Sequence, residues 1–184
     1  MRLLAFAASL RQASFNRKLL AVAAGLARRH GVEVLEHPFA DFDVPAYSGD
    51  VQDRDGIPAP ALRLGQLIQE TDGLLLAAPE YNYSLPGHLK NTIDWVSRIR
   101  PVPLRGRWAF LMSASTGAVG GIRGLWQLRI PFEGLGTFVH PDMFSLPHAA
   151  QAFTPEGDLA DAAVRERLET MLAGYLEAVR KGRA

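Results

Sequence analysis

The chain has no cysteine among its 184 residues. That excludes disulfides, thiolate metal sites, iron–sulfur clusters and thiol nucleophiles. Its five histidines, His30, His37, His88, His140 and His148, show no metal-ligand spacing with one another or with carboxylates, and most of them read as surface or strand-end residues. No apolar run approaches the length of a membrane span. A bias of charge is missing too: the net charge is +1 and neither sign forms a long run. Neither nucleic acid nor an anionic membrane is therefore indicated as a partner, and the balance weighs against a strongly acidic electron carrier. No nucleophile elbow of the form G-x-S-x-G, no P-loop, and no G-x-G-x-x-G after the first apolar segment is present. Hydrolase, phosphotransferase and ordinary dinucleotide-fold readings thus lack their central residues.

Hydrophobic residues make up 48% of the chain and charged residues 21%, as in a soluble globular protein. The length suits one domain over residues 1–184, able to bury roughly 70% of the surface of its unfolded chain. Met1 to Ala7 has the look of a leader, but Arg11, Arg17 and Lys18 interrupt it early. A first buried strand explains it better, and the cytoplasm is the expected location.

Apolar runs alternate with helical patterns, the signature of an α/β protein whose parallel sheet is covered on both faces. Strands are expected at Arg2–Ala8, Val32–Leu35, Gly73–Ala78, Trp108–Ala114 and Thr137–His140. Helices are expected from an N-cap at Ser14 to about His30, over Pro60–Glu70, from Pro86 to about Arg98, through Leu125 and Leu128, and from about Leu159 to Arg180. The Pro-, Asp- and Gly-rich stretch from His37 to Pro60 reads as a long loop with one turn of helix at most.

Three loops carry unusual chemistry. Ser9-Leu10-Arg11-Gln12-Ala13-Ser14-Phe15-Asn16 sets an arginine, two serine hydroxyls and an asparagine amide at a helix N-terminus, where free N–H groups and the dipole favour an anion. The guanidinium fork of Arg11 suits phosphate oxygens. Pro79-Glu80-Tyr81-Asn82-Tyr83-Ser84-Leu85-Pro86-Gly87-His88-Leu89-Lys90-Asn91-Thr92-Ile93-Asp94-Trp95 follows the third strand, and Ser115-Thr116-Gly117-Ala118-Val119-Gly120-Gly121 follows the fourth.

The first two segments resemble the NADPH-dependent FMN reductases, flavodoxin-like proteins that include quinone, chromate and azo-dye reductases. In that family the first strand runs into G-S-L-R-x-x-S-x-N and the third into P-E-Y-N-x-S-x-P-G-x-L-K-N-x-I-D-W. The chain matches the second pattern at every fixed position and departs from the first only at Ala8, where glycine is usual. The resemblance implies a flavodoxin-like three-layer sandwich with a five-stranded sheet in the order 2-1-3-4-5. Its loops after strands one, three and four then meet where strand order reverses, the ligand crevice of such sheets.

The resemblance also assigns FMN contacts. Ser9, Arg11, Ser14, Phe15 and Asn16 would surround the phosphate end, and four charge-assisted side-chain bonds there would supply roughly 6–12 kcal/mol before ordering losses. Pro79, Glu80, Tyr81 and Asn82 would lie along the isoalloxazine, with Ser115 and Gly117 approaching it from the third loop. Arg123 is either a surface ion-pair partner or a receptor for a dinucleotide phosphate. Leu89 and Ile93 read as core, while Trp95 is a candidate for the dimer interface that the family forms with this helix. The implied activity is transfer of hydride from NADPH or NADH through FMN to a small-molecule acceptor such as a quinone, azo compound, free flavin or chromate. A homodimer, with a homotetramer as a further possibility, is the implied assembly. The alternative function is a flavin-binding redox sensor or carrier module with little turnover.

Overall fold

The computed structural model describes residues 1–182. Chain order is β1 (Arg2–Ala7), α1 (Phe15–Arg29), β2 (Glu33–Glu36), a 3-10 turn (Phe39–Phe42), α2 (Gly49–Asp55) and α3 (Ala59–Gln69). It continues with β3 (Gly73–Ala77), α4 (Gly87–Val96), β4 (Trp108–Ala114), α5 (Ile122–Gly134), β5 (Phe138–Val139), β6 (Phe144–Leu146) and α6 (Ala162–Gly182). All strand pairs are parallel, in the order β2-β1-β3-β4-β5, with β6 also paired to β4. This is the flavodoxin-like order expected from the sequence.

The strand period of two divides the core between the two faces of the sheet. Leu3, Ala5, Ala7, Leu75, Ala77, Phe110 and Met112 pack with α1 and α6. Leu4, Phe6, Ala8, Leu74, Leu76, Ala109 and Leu111 pack with α3, α4 and α5. Each fully buried Leu or Phe contributes about 1.5–3 kcal/mol, so β1, β3 and β4 anchor the molecule. Tyr175 of α6 is buried in this core with its hydroxyl donating to the Leu74 carbonyl at 3.1 Å. Burial pushes that hydroxyl above the usual tyrosine range, so it stays a neutral donor.

The expected fifth strand, Thr137–His140, is shorter than expected, and an additional strand that the sequence did not announce, β6, follows it. The His140 N–H still donates to Ala109. Its carbonyl, however, turns away to Arg129 Nη1 at 3.0 Å, and Pro141 has no N–H with which to continue a ladder. The chain rejoins β4 only at Phe144, opposite Met112. The long loop holds more structure than its composition announced. Phe39 and Phe42 of the 3-10 turn are buried against Phe6, while α2 is a short helix with no buried residue. The last helix begins at Ala162, because Asp161 Oδ1 accepts the N–H groups of Ala163 and Val164.

Leu89 and Ile93 are core residues as expected, but Trp95 is not an interface residue. Its indole is fully buried, Nε1 donates to the Pro45 carbonyl at 2.8 Å, and Tyr47 packs edge-on against it. Asn91 adds bonds to the Val44 and Pro45 carbonyls and accepts from the Tyr47 N–H. The polar and aromatic residues of α4 thus staple the long loop to the body of the protein.

Candidate functional site

β1, β3 and β4 end in small residues, Ala7-Ala8, Ala77-Ala78 and Ala114, and these form the floor of a shallow crevice. The Ala8 N–H donates to Ala77 and that of Ala78 to Met112, so the three strand ends stay level. The loops that leave them enclose a cleft of about 200 Å³. It is lined by Ser9, Arg11, Ser14, Phe15 and Asn16 from the first loop, Pro79, Glu80 and Tyr81 from the second, and Ala114, Ser115 and Thr116 from the third. Residues more than a hundred positions apart in the chain therefore meet at the reversal of strand order.

Within the first loop, the roles divide. Ser14 is the N-cap of α1 and is buried, its hydroxyl accepting the Arg17 N–H at 3.4 Å. Asn16 is buried and holds the loop to the sheet: Nδ2 donates to the Ala114 carbonyl at 2.9 Å, and Oδ1 accepts the Ala114 N–H at 3.0 Å. That reciprocal pair uses the carbonyl end of the amide and one of its two hydrogens. Arg11 is exposed and, among the described residues, has no carboxylate partner. The backbone N–H groups of Arg11, Gln12, Ala13, Phe15 and Asn16 likewise have no protein acceptor among the described residues. An unpaired guanidinium and a row of open N–H donors in one loop are groups whose chemistry suits an anion.

The second loop is a hairpin in miniature. Tyr81 and Ser84 exchange both backbone hydrogen bonds at 3.0 Å. Asn82 and Tyr83 between them have φ of 48° and 66°, the pair of left-handed residues of a type I′ turn. Asparagine adopts that region readily; tyrosine does so at a cost of about 1–2 kcal/mol. The Arg123 guanidinium lies over the Tyr83 ring, 4.3 Å from its centroid, and secures the strained residue from outside.

The carboxylate of Glu80 ties the second loop to the third. It accepts Arg123 Nε at 2.9 Å and Arg123 Nη2 at 2.7 Å, and its other oxygen accepts the Gly124 N–H at 3.2 Å. Arg123 is thus an ion-pair partner, although one whose partner belongs to the site. No local sequence signal showed this pairing, since the two residues are 43 positions apart.

In the third loop the glycines have different reasons. A Cβ at Gly121 would collide with Ser113 Oγ, and its φ of +84° is itself unfavourable to side chains, so the fold requires glycine there. Gly117 is under no such constraint. Its φ is not positive, and a Cβ would meet only Ser115 Oγ at 3.6 Å. Of the residues expected at the site, Asn82 and Gly117 are not among those that line the cleft; Gly117 follows the lining residue Thr116 and is a glycine that packing does not demand. Ser115 Oγ accepts the Gly117 N–H at 3.2 Å and holds the turn. Thr116 and Ala13, which the motif positions do not include, also line the cleft. Among the described residues no group of three His, Asp or Glu side chains suits a metal ion.

Comparison with known proteins agrees with this geometry. The family model described as NADPH-dependent FMN reductase matches residues 1–151. A quinone reductase of Escherichia coli is 40% identical over 121 residues, which span 66% of this chain and 63% of that protein. An NAD(P)H-dependent FMN reductase of Pseudomonas aeruginosa is 35% identical over 175 residues, covering 94% of this chain and 91% of the relative. Among solved structures, the flavoenzyme NAD(P)H:(acceptor) oxidoreductase FerB of Paracoccus denitrificans superposes with a TM-score of 0.82 at 26% identity, covering 98% of each chain. A Bacillus cereus flavodoxin, at 15% identity and a TM-score of 0.63, shares the fold.

Proposed function

Because the chain belongs to the NADPH-dependent FMN reductase family, we propose that it is an FMN-dependent NAD(P)H oxidoreductase that reduces a small-molecule acceptor. FMN and a reduced nicotinamide are the redox cofactors that membership carries. The single observation behind the reading is the convergence of all three loops on one cleft, whose lining includes the exposed Arg11 and the N-terminus of α1.

The chain's residues fit FMN. Arg11 and the open N–H groups of the first loop would hold its phosphate, with Ser9 and Ser14 beside them. Asn16 would set the height of that loop above β4. Pro79 to Asn82 would border the ring through backbone, held rigid by the Glu80–Arg123 pair. Bound there, FMN supplies hydride transfer between the nicotinamide and the acceptor. The protein's part is orientation and electrostatics, and no side chain is assigned as an acid or base.

Quinones, azo compounds, free flavin and chromate are the proposed acceptors, entering the open face after the nicotinamide departs. Parallel initial-rate lines would follow; intersecting lines would count against shared use of the face. The proposed assembly is a homodimer or homotetramer in the cytoplasm, built on the single domain over residues 1–184. With the apolar residues of α4 committed to the core, the surface that supports assembly is on α5, where Trp126 and Ile130 are 55% and 65% exposed one turn apart. Sedimentation of the wild type and of Trp126→Glu tests it: a smaller species in the variant supports that face, and an unchanged one removes it. The functional reading is tested by the rate at which NADPH or NADH reduces the bound flavin. Flavin that stays oxidised would transfer the protein to the sensor or carrier class.

A further inference from the structure

A second concavity, about 230 Å³, opens on the far side of the first loop, between α1, the end of β2 and the 3-10 turn. Its floor is apolar, with Ala7, Leu20 and Phe39 all buried. Its rim is charged, with Arg17, Glu36 and His37. Glu36, the last residue of β2, is paired with Arg28 at 2.7 Å. His37 Nδ1 is 3.7 Å from Asp41. Arg17 differs from both. Among the described residues its guanidinium meets no carboxylate, and its hydrogen bond runs from Nη2 to the Ser9 carbonyl at 3.3 Å. Ser9 belongs to the phosphate-receiving loop, so Arg17 stands in the wall between this concavity and the cofactor cleft.

An apolar floor, a carboxylate at the carboxyl end of a strand and an unpaired guanidinium form the donor set for a nucleoside phosphate. The floor takes the base, the carboxylate accepts from ribose hydroxyls, and the guanidinium binds phosphate. We propose that this concavity receives the adenosine 2′-phosphate half of NADPH, with Arg17 and His37 toward its phosphates and Glu36 toward its ribose. The proposal rests on the reading that the protein oxidises a reduced nicotinamide dinucleotide. It makes Arg17 and His37 specificity residues for NADPH over NADH, because Arg28 already offsets the charge of Glu36.

Adenosine 2′,5′-bisphosphate titrated calorimetrically into the FMN-loaded protein tests the site directly. The wild type should bind one equivalent, and Arg17→Ala and His37→Ala should each weaken binding about tenfold. Both variants should raise KM for NADPH by a similar factor. KM for reduced nicotinamide mononucleotide, which lacks the adenosine half, should move less than about twofold. Arg17 touches the first loop, so the FMN affinity of its variant is measured alongside. His37 has no hydrogen bond to that loop and must show the same split between the two donors. No bisphosphate binding, binding indifferent to both variants, or bisphosphate that displaces FMN would overturn the proposal. Failure of both donors to reduce the wild-type flavin would instead sink the oxidoreductase reading, and the calorimetric titration would still decide the site.

Discussion

Asn16 and Arg11 are five residues apart in one motif yet have different work. Asn16 is saturated on its carbonyl side by a residue 98 positions away, whereas Arg11 faces solvent with no carboxylate partner among the described residues. Asn16→Ala would leave the N–H and C=O of Ala114 unpaired in a buried place, at about 1–3 kcal/mol each. Urea unfolding of the apoprotein should therefore show a loss of roughly 2–6 kcal/mol; an unchanged midpoint would contradict the clamp. Arg11→Ala should leave apoprotein stability within about 0.5 kcal/mol. It should raise the FMN dissociation constant roughly tenfold to a hundredfold, the worth of one charge-assisted bond. Equilibrium dialysis checks this, and unchanged retention would remove Arg11 from the site. Most of the residues that the sequence singled out do meet at one cleft, and they were legible because their types, a guanidinium, hydroxyls and an amide at a helix N-terminus, are unusual in one loop. Which of them hold the loops together was not legible, since that depends on partners such as Ala114 for Asn16 and Arg123 for Glu80 that only the folded chain brings near. Trp95 shows the same limit: its helical position was plain, but not the Pro45 carbonyl that draws it inward.

At the scale of elements, β1, β3 and β4 were readable because a strand buried on both faces is continuously apolar. α2 was hidden, having no buried face to impose a period, and the break between β5 and β6 depends on the turned carbonyl of His140 as much as on Pro141. The glycine turn separates fold from function by two substitutions. Gly121→Ala should destabilise the protein by about 2 kcal/mol or more, through the left-handed φ and the encounter with Ser113, whether or not FMN is present. Gly117→Ala should leave the apoprotein's melting temperature in place, because the new methyl group would meet only Ser115 Oγ at ordinary contact distance, while weakening FMN binding if the proposed ligand approaches there. Equal behaviour of the two variants in thermal melts would show that the third loop has been misassigned.

For the molecule as a whole, the sheet order sets the three loops side by side, and the covering helices keep them there. The floor of the crevice belongs to the most buried strands, while the residues that would touch a ligand lie on loops at its rim. Ligand binding should therefore stabilise the entire domain by mass action, about 2.7 kcal/mol at a hundredfold excess over the dissociation constant. A calorimetric scan with and without FMN should show one transition that moves upward as a unit.

The most direct test of the central claim is the visible spectrum of the FMN-loaded protein during anaerobic addition of NADPH and then, in a separate sample, NADH. Flavin absorption should bleach rapidly, faster with NADPH, and return on addition of a quinone. Flavin that binds but stays oxidised with both donors, or a protein that takes up no FMN at all, would contradict it.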